Sequence, residues 1–201
     1  MSAPALRHDD DVALHRWTSR RYEELLAQGV FEGEPVELLD GVLVEVNAQG
    51  PHHTWALTLV HEALAAVLDR RYVVVGQAPL VTSALSTPEP DVAVLERRAF
   101  SRERLPRGAL LVVEVARTSA RTDLLHKARV YAEGRVQEYW VLDLRTEEVV
   151  VHRGPEGDGA DARWAEVRRL PLDAELQVLG VRLRLSEVLA DGHAAGVDVH
   201  P

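Results

Sequence analysis

The chain predicts a single α/β domain with a β-rich C-terminal extension, and three stretches carry that expectation. Leu110-Leu-Val-Val-Glu114-Val reads as a buried strand. A helical segment around Asp123–Gly134 and a second strand from Glu138 to Asp143 follow it, an order that favours a parallel crossover. Asp40-Gly41 stands between two aliphatic runs, the strongest short signal for a hairpin. Beyond Asp143 the pattern shifts to short alternating strands. A length of 201 residues suffices for one proper core.

In chain order, residues 1–14 read as a flexible tail. Thr18 or Ser19 caps a helix over Arg20–Gln28 that stops at Gly29. The hairpin strands around Asp40-Gly41 carry Glu37 and Glu45. After the Gly50-Pro51 break, Ala56, Val60, Ala63, Leu64 and Val67 recur at three- and four-residue spacing, which predicts an amphipathic helix over His53–Arg70. Arg71–Gly76 is a strand, and Asp91 stands at the mouth of the next one, Val92–Leu95. Residues 97–108, with five arginines, form a polar connection. The C-terminal extension comprises strands over Glu147–His152, Ala165–Leu170 and Leu176–Leu185, with a Gly/Asp turn region at Gly154–Asp161. Ser186–Leu189 forms a helical turn, and residues 191–201 read as a second tail. The domain therefore spans 15–190, with no linker and no internal repeat.

Composition narrows the function. Zero cysteines exclude disulfides and thiolate metal sites and fit a cytoplasmic location. No apolar run approaches the roughly 20 residues of a membrane span, and the N-terminal residues lack an export signal. A net charge of −9 is wrong for a protein that merely coats nucleic acid. Such a chain needs a local positive surface or a bound cation to act on it.

Of the 23 basic residues, 22 are arginine, so Lys127 is the only lysine. A lone ammonium where the chain otherwise uses guanidinium points to a compact, adjustable donor. The plainer readings are drift, or an i,i+4 pair with Asp123 worth about 0.2–0.5 kcal/mol. At about 100° per residue, Leu124, Ala128, Tyr131 and Ala132 share an apolar face, with Lys127 on its flank. Glu114, a charge inside an aliphatic strand, requires a partner, and Lys127 is the natural one. Glu37, Asp91 and Glu114 on or beside strands make a hard-oxygen set suited to Mg²⁺ or Mn²⁺. A nearby lysine would orient water and offset charge on phosphorus. His52 and His53 either orient phosphate or water, or simply enter the helix. His61-Glu62 lacks the spacing of a zinc protease. Ser83, Ser86 and Ser119 lack a nucleophile elbow. Tyr139 and Trp140 read as core, and Asp143 as a turn residue.

Pro90-Asp91, then Glu114-Val-Ala116, then Lys127 resembles the PD-(D/E)xK nuclease superfamily. Val36-Glu37-Leu-Leu-Asp40-Gly41, Gly50-Pro51-His52-His53, Pro90-Asp91-Val-Ala-Val, Val112-Val-Glu114-Val-Ala, Asp123–Lys127 and Val136–Asp143, taken in that order, resemble the Uma2 family (DUF820). The resemblance covers about residues 17–190. It implies a restriction-endonuclease-like mixed sheet core flanked by helices. It implies Asp91 and Glu114 as metal ligands and Glu37 as a supporting acid. Ala116 stands where the superfamily motif has lysine, and Lys127, on the following helix, takes that place. Arg117, where such proteins often carry an acidic or small polar residue, either contacts a phosphate or is simply solvated. The expectation is a Mg²⁺- or Mn²⁺-dependent endonuclease acting on DNA phosphodiesters, with catalytic residues Glu37, Asp91, Glu114 and Lys127, and a possible homodimer. The alternatives are a catalytically silent interaction or assembly module on the same fold, or an acid–base hydrolase of a small substrate.

Overall fold

The computed structural model describes residues 15–46, 50–116 and 121–191. The expected tail over 1–14, all but the first residue of the tail expected over 191–201, and Arg117 and Ser119 lie outside the described residues, as does the Asp123 side chain.

Helix α1 (Ser19–Ala27) starts where the Thr18 hydroxyl accepts the Arg21 N–H at 3.2 Å, satisfying one orphan donor of the first turn. Its buried Tyr22 donates its hydroxyl to the Val36 carbonyl at 2.6 Å, which seats the start of β1 (Val36–Leu39). The β1–β2 hairpin (β2, Val42–Glu45) turns at Asp40 and Gly41, both left-handed at φ 48° and 78°. That is the turn geometry Asp-Gly favours. A Cβ on Gly41 would stand 2.8 Å from the Arg16 side chain, so space as well as φ requires glycine there.

Six strands form the central sheet in chain order: β3 (Tyr72–Gly76), β4 (Val92–Glu96), β5 (Leu111–Ala116), β6 (Glu138–Asp143), β7 (Glu148–Glu156) and β8 (Arg163–Pro171). Every neighbouring pair is antiparallel except β5–β6. These two are joined by the expected crossover through α3 (Arg121–Glu133). Strands β7 and β8 thus widen the same sheet instead of forming a separate layer. The third expected C-terminal strand is a tight hairpin, β9 (Leu176–Val178) and β10 (Val181–Leu183), followed by α4 (Leu185–Asp191).

The sheet has an apolar layer on each face. Helix α2 (Pro51–Val67) presents Ala56, Val60 and Leu64 to Val92, Val113 and Val115, with Leu176, Val178 and Leu185 completing that layer. On the other face Ala128 and Tyr131 of α3 pack on Val112, Tyr139 and Val141. β5 is therefore covered on both sides, which explains its nearly unbroken aliphatic run. Strand alternation then aims Glu114 toward α3. Burying each large aliphatic contributes about 1.5–3 kcal/mol, enough for this core to tolerate charged groups at its margin. No helix among the described residues is long and apolar enough to cross a membrane.

Candidate active site

Asp91 immediately precedes β4. The Val92–Val113 pairing of β4 with β5, taken one step further, sets Asp91 opposite Glu114. Asp91 Oδ2 accepts the Val115 amide at 2.7 Å and lies 2.9 Å from His53 Nε2. With Oδ2 accepting the amide, the imidazole contributes its Nε2–H. Its Nδ1 is buried with no hydrogen-bond partner among the described residues.

Lys127 lies between two carboxylates. Its Nζ is 3.1 Å from Glu37 Oε2 and 3.3 Å from Glu114 Oε1. Glu37 reaches it from β1, where Oε2 also accepts the Glu89 amide at 3.0 Å. One turn further along α3, the Tyr131 hydroxyl donates to Glu114 Oε1 at 2.6 Å. Glu37, Asp91, Glu114 and Lys127 are 4, 4, 5 and 8% exposed, so the four groups named from sequence meet in a desolvated space. The side of α3 that faces away from the sheet ties down the hairpin carrying Glu37. The Asp40 carboxylate pairs with Arg129 and, at 2.7 Å, with His126 Nε2.

Titration follows from this crowding. Burial first, then the charges of Asp91 and Glu37, raise the Glu114 carboxyl to about 8, while Lys127 and the Tyr131 hydroxyl oppose the shift. Burial and Glu114 keep the Tyr131 phenol protonated well above its usual range. Glu89 is also raised, by burial and then by Glu37, against the pull of Lys127. At Asp40 burial acts upward, but the hydrogen bonds from Arg129 and His126 outweigh it and hold the carboxyl below its usual value.

Among the described residues no group of three or more His, Asp or Glu side chains is arranged to hold an ion alone. The donor set nonetheless fits Mg²⁺ or Mn²⁺ held by two carboxylates and completed by water and phosphate oxygens. The oxygens are hard, Glu37 and Glu114 face one lysine with Asp91 set opposite Glu114 on the adjoining strand, and burial holds the Glu114 carboxyl above its usual range. A cavity of about 980 Å³ lies past the end of β5, lined by Pro51, His52, His53, Trp55, Val115 and Arg145 among others. It reaches the two donors on Asp91 but not the acids themselves.

Two polar residues of this site escape a reading by pattern. His53 pairs with Asp91 across 38 residues, which periodicity does not reveal. Tyr131 reads as part of an apolar face, although its i,i+4 relation to Lys127 places it over the same strand. His52 is exposed, Tyr139 and Trp140 are fully buried, and Asp143 accepts the Arg145 and Thr146 amides in a turn. Three of the five arginines in 97–107 have partners within the chain: Arg97 on the Arg70 and Tyr72 carbonyls, Arg98 on Glu96 and Arg107 on Glu23.

A family model described as Uma2, putative restriction endonuclease, matches residues 20–189. Among solved structures, the chain is similar to a putative nuclease belonging to DUF820 from Anabaena variabilis. The identity is 12% and the TM-score 0.64, over 77% of this chain and 89% of that one. The type IIG restriction endonuclease BpuSI matches at 20% identity and a TM-score of 0.39, over 72% of this chain and 15% of the other. No curated protein matches the sequence. The likeness at 12% identity establishes the restriction-endonuclease-like fold.

Proposed function

Because the chain belongs to the Uma2 family, we propose that it is a nuclease that hydrolyses DNA phosphodiester bonds with Mg²⁺ or Mn²⁺ held by Asp91 and Glu114. The observation that carries this reading is the buried Lys127 ammonium between Glu37 and Glu114, with Asp91 set opposite Glu114 on the adjoining strand. Bound there, the ion supplies Lewis-acid polarisation of a phosphoryl oxygen and lowers the pKa of water. The chain's own groups do the rest. An ammonium held by two carboxylates acts as a donor, so Lys127 stabilises charge gathering on the phosphoryl oxygens and orients the attacking water. Glu37 fixes that ammonium through Oε2, and the Glu89 amide on the same oxygen fixes Glu37.

Supercoiled plasmid incubated with the protein and Mg²⁺ or Mn²⁺ should be nicked. EDTA, Asp91→Ala and Lys127→Ala should each abolish nicking. Cutting both strands of a duplex takes two such sites, so a homodimer on DNA is expected, measured by light scattering. The net charge of −9 favours a second reading, an interaction or assembly module that keeps the fold without the chemistry. Equal, background-level nicking by wild type and Lys127→Ala would hand the case to that reading.

A further inference from the structure

We propose that His53 and Tyr131 are positioning residues that hold the Asp91 and Glu114 carboxylates in the orientation a divalent cation requires. The proposal rests on the metal reading above. The two side chains come from helices on opposite faces of the sheet, α2 and α3, and repeat one arrangement. Asp91 Oδ2 takes both His53 Nε2 and the Val115 amide, and Glu114 Oε1 takes both the Tyr131 hydroxyl and Lys127. Two donors on one oxygen stop the carboxylate from turning about its last torsion and aim its other oxygen away from them. Hydrogen bonds to ligating carboxylates from outside the ligand set tune metal affinity in this way.

Packing does not account for either polar atom. His53 is 6% exposed and leaves Nδ1 buried and unpaired to place Nε2 on Asp91. A buried nitrogen without a partner is destabilising, and an apolar side chain would fill the same space without that loss. Tyr131 is fully buried beside Val112, Ala128 and Tyr139, where phenylalanine would pack as well. Helix α2 therefore spends a buried polar atom on Asp91 at a cost packing does not explain, and α3 directs a hydroxyl to Glu114.

The test is Mn²⁺ affinity by calorimetry on purified full-length protein, without DNA. Tyr131→Phe and His53→Phe should each weaken Mn²⁺ binding by about 10–100-fold. His53→Gln, whose amide again supplies an N–H, should return the affinity to within a few-fold of wild type. Circular dichroism checks that each variant is folded, and Tyr131→Phe removes a single oxygen. Unchanged Mn²⁺ affinity in both phenylalanine variants, with wild type binding, overturns the positioning role and leaves the metal site standing. Failure of wild type to bind Mn²⁺ overturns the metal reading itself, and the positioning role with it.

Discussion

Replacing Glu114 with glutamine should stabilise the protein at alkaline pH and flatten its dependence on pH. Burial raises this carboxyl from 4.5 to about 8, so between those values the folded chain keeps a proton that the unfolded chain has released. Stability therefore falls as pH rises through that window, by at most about 1.4 kcal/mol per pH unit. Over the whole window the bound is roughly 5 kcal/mol. The charges of Asp91, Glu37 and Lys127 all act on Glu114, so the share belonging to it alone is smaller, about 1–3 kcal/mol. Glutamine does not strand the ammonium, because Lys127 keeps Glu37 at 3.1 Å. The amide oxygen also still accepts from Tyr131. Urea unfolding at pH 5.5 and 8.5 in EDTA, with wild type and Glu114→Gln side by side, measures the effect. The variant's advantage should widen by about 1–3 kcal/mol between the two pH values. Parallel stability lines, or a less stable variant at pH 8.5, would show that Glu114 is comfortable as an anion and refute the charge accounting.

The same raised carboxyl implies that Mn²⁺ binding at pH 7 displaces close to one proton from Glu114. Calorimetry in two buffers of different ionisation enthalpy reads that proton directly, and a release of zero would exclude Glu114 as the group displaced. Lys127→Arg keeps the charge but spreads it over a planar fork, and plasmid nicking should fall at least about 100-fold. Nicking at the wild-type rate would mean that any cation suffices. Asp40→Ala removes the tie between the hairpin and α3 and should cost about 1–2 kcal/mol, since the pair is partly exposed. The Asp40 carboxyl is held below its usual value, so its contribution is present above the unfolded pKa and is lost as pH falls through the folded one. The gap between the urea midpoints of the two proteins should accordingly narrow in strong acid, down to the part set by the left-handed φ at position 40.

The features legible in the sequence are those set by local physics. Asp40-Gly41 marks a hairpin through the left-handed φ its turn needs, and the aliphatic run around Glu114 marks a strand covered on both faces. Lys127 is conspicuous because the chain uses arginine everywhere else. Pairings between distant elements carry no such signal. The alternation of β7 and β8 identifies half-buried strands of a β-rich extension but not the sheet they join, which is the central one. The contact of His53 with Asp91 forms only once α2 is laid across the face that holds Val92 and Val113. Tyr131 carries both an apolar ring and a hydroxyl, and composition cannot say which of the two the fold uses.

The place of the lysine yields a last and more demanding test. Ala116 lies two residues beyond Glu114 on β5, so strand alternation puts both on the α3 face, and Ala116 packs against that layer. A lysine at 116 and the lysine at 127 would approach the Glu114 carboxylate from opposite elements, one from the strand and one from the helix above it. If the chemistry needs an ammonium at that carboxylate and not a particular backbone attachment, Ala116→Lys should restore part of the nicking lost in Lys127→Ala. The single variant should fall by about 100–1000-fold, the usual weight of one preorganised charge, and the double variant should regain roughly a tenth of wild-type rate. Ala116→Lys in the wild-type background controls for crowding at the strand end. A double variant no better than Lys127→Ala, with that control active, would show that Lys127 acts through its second contact, with Glu37. The hairpin, not the strand pair alone, would then be part of the reacting centre.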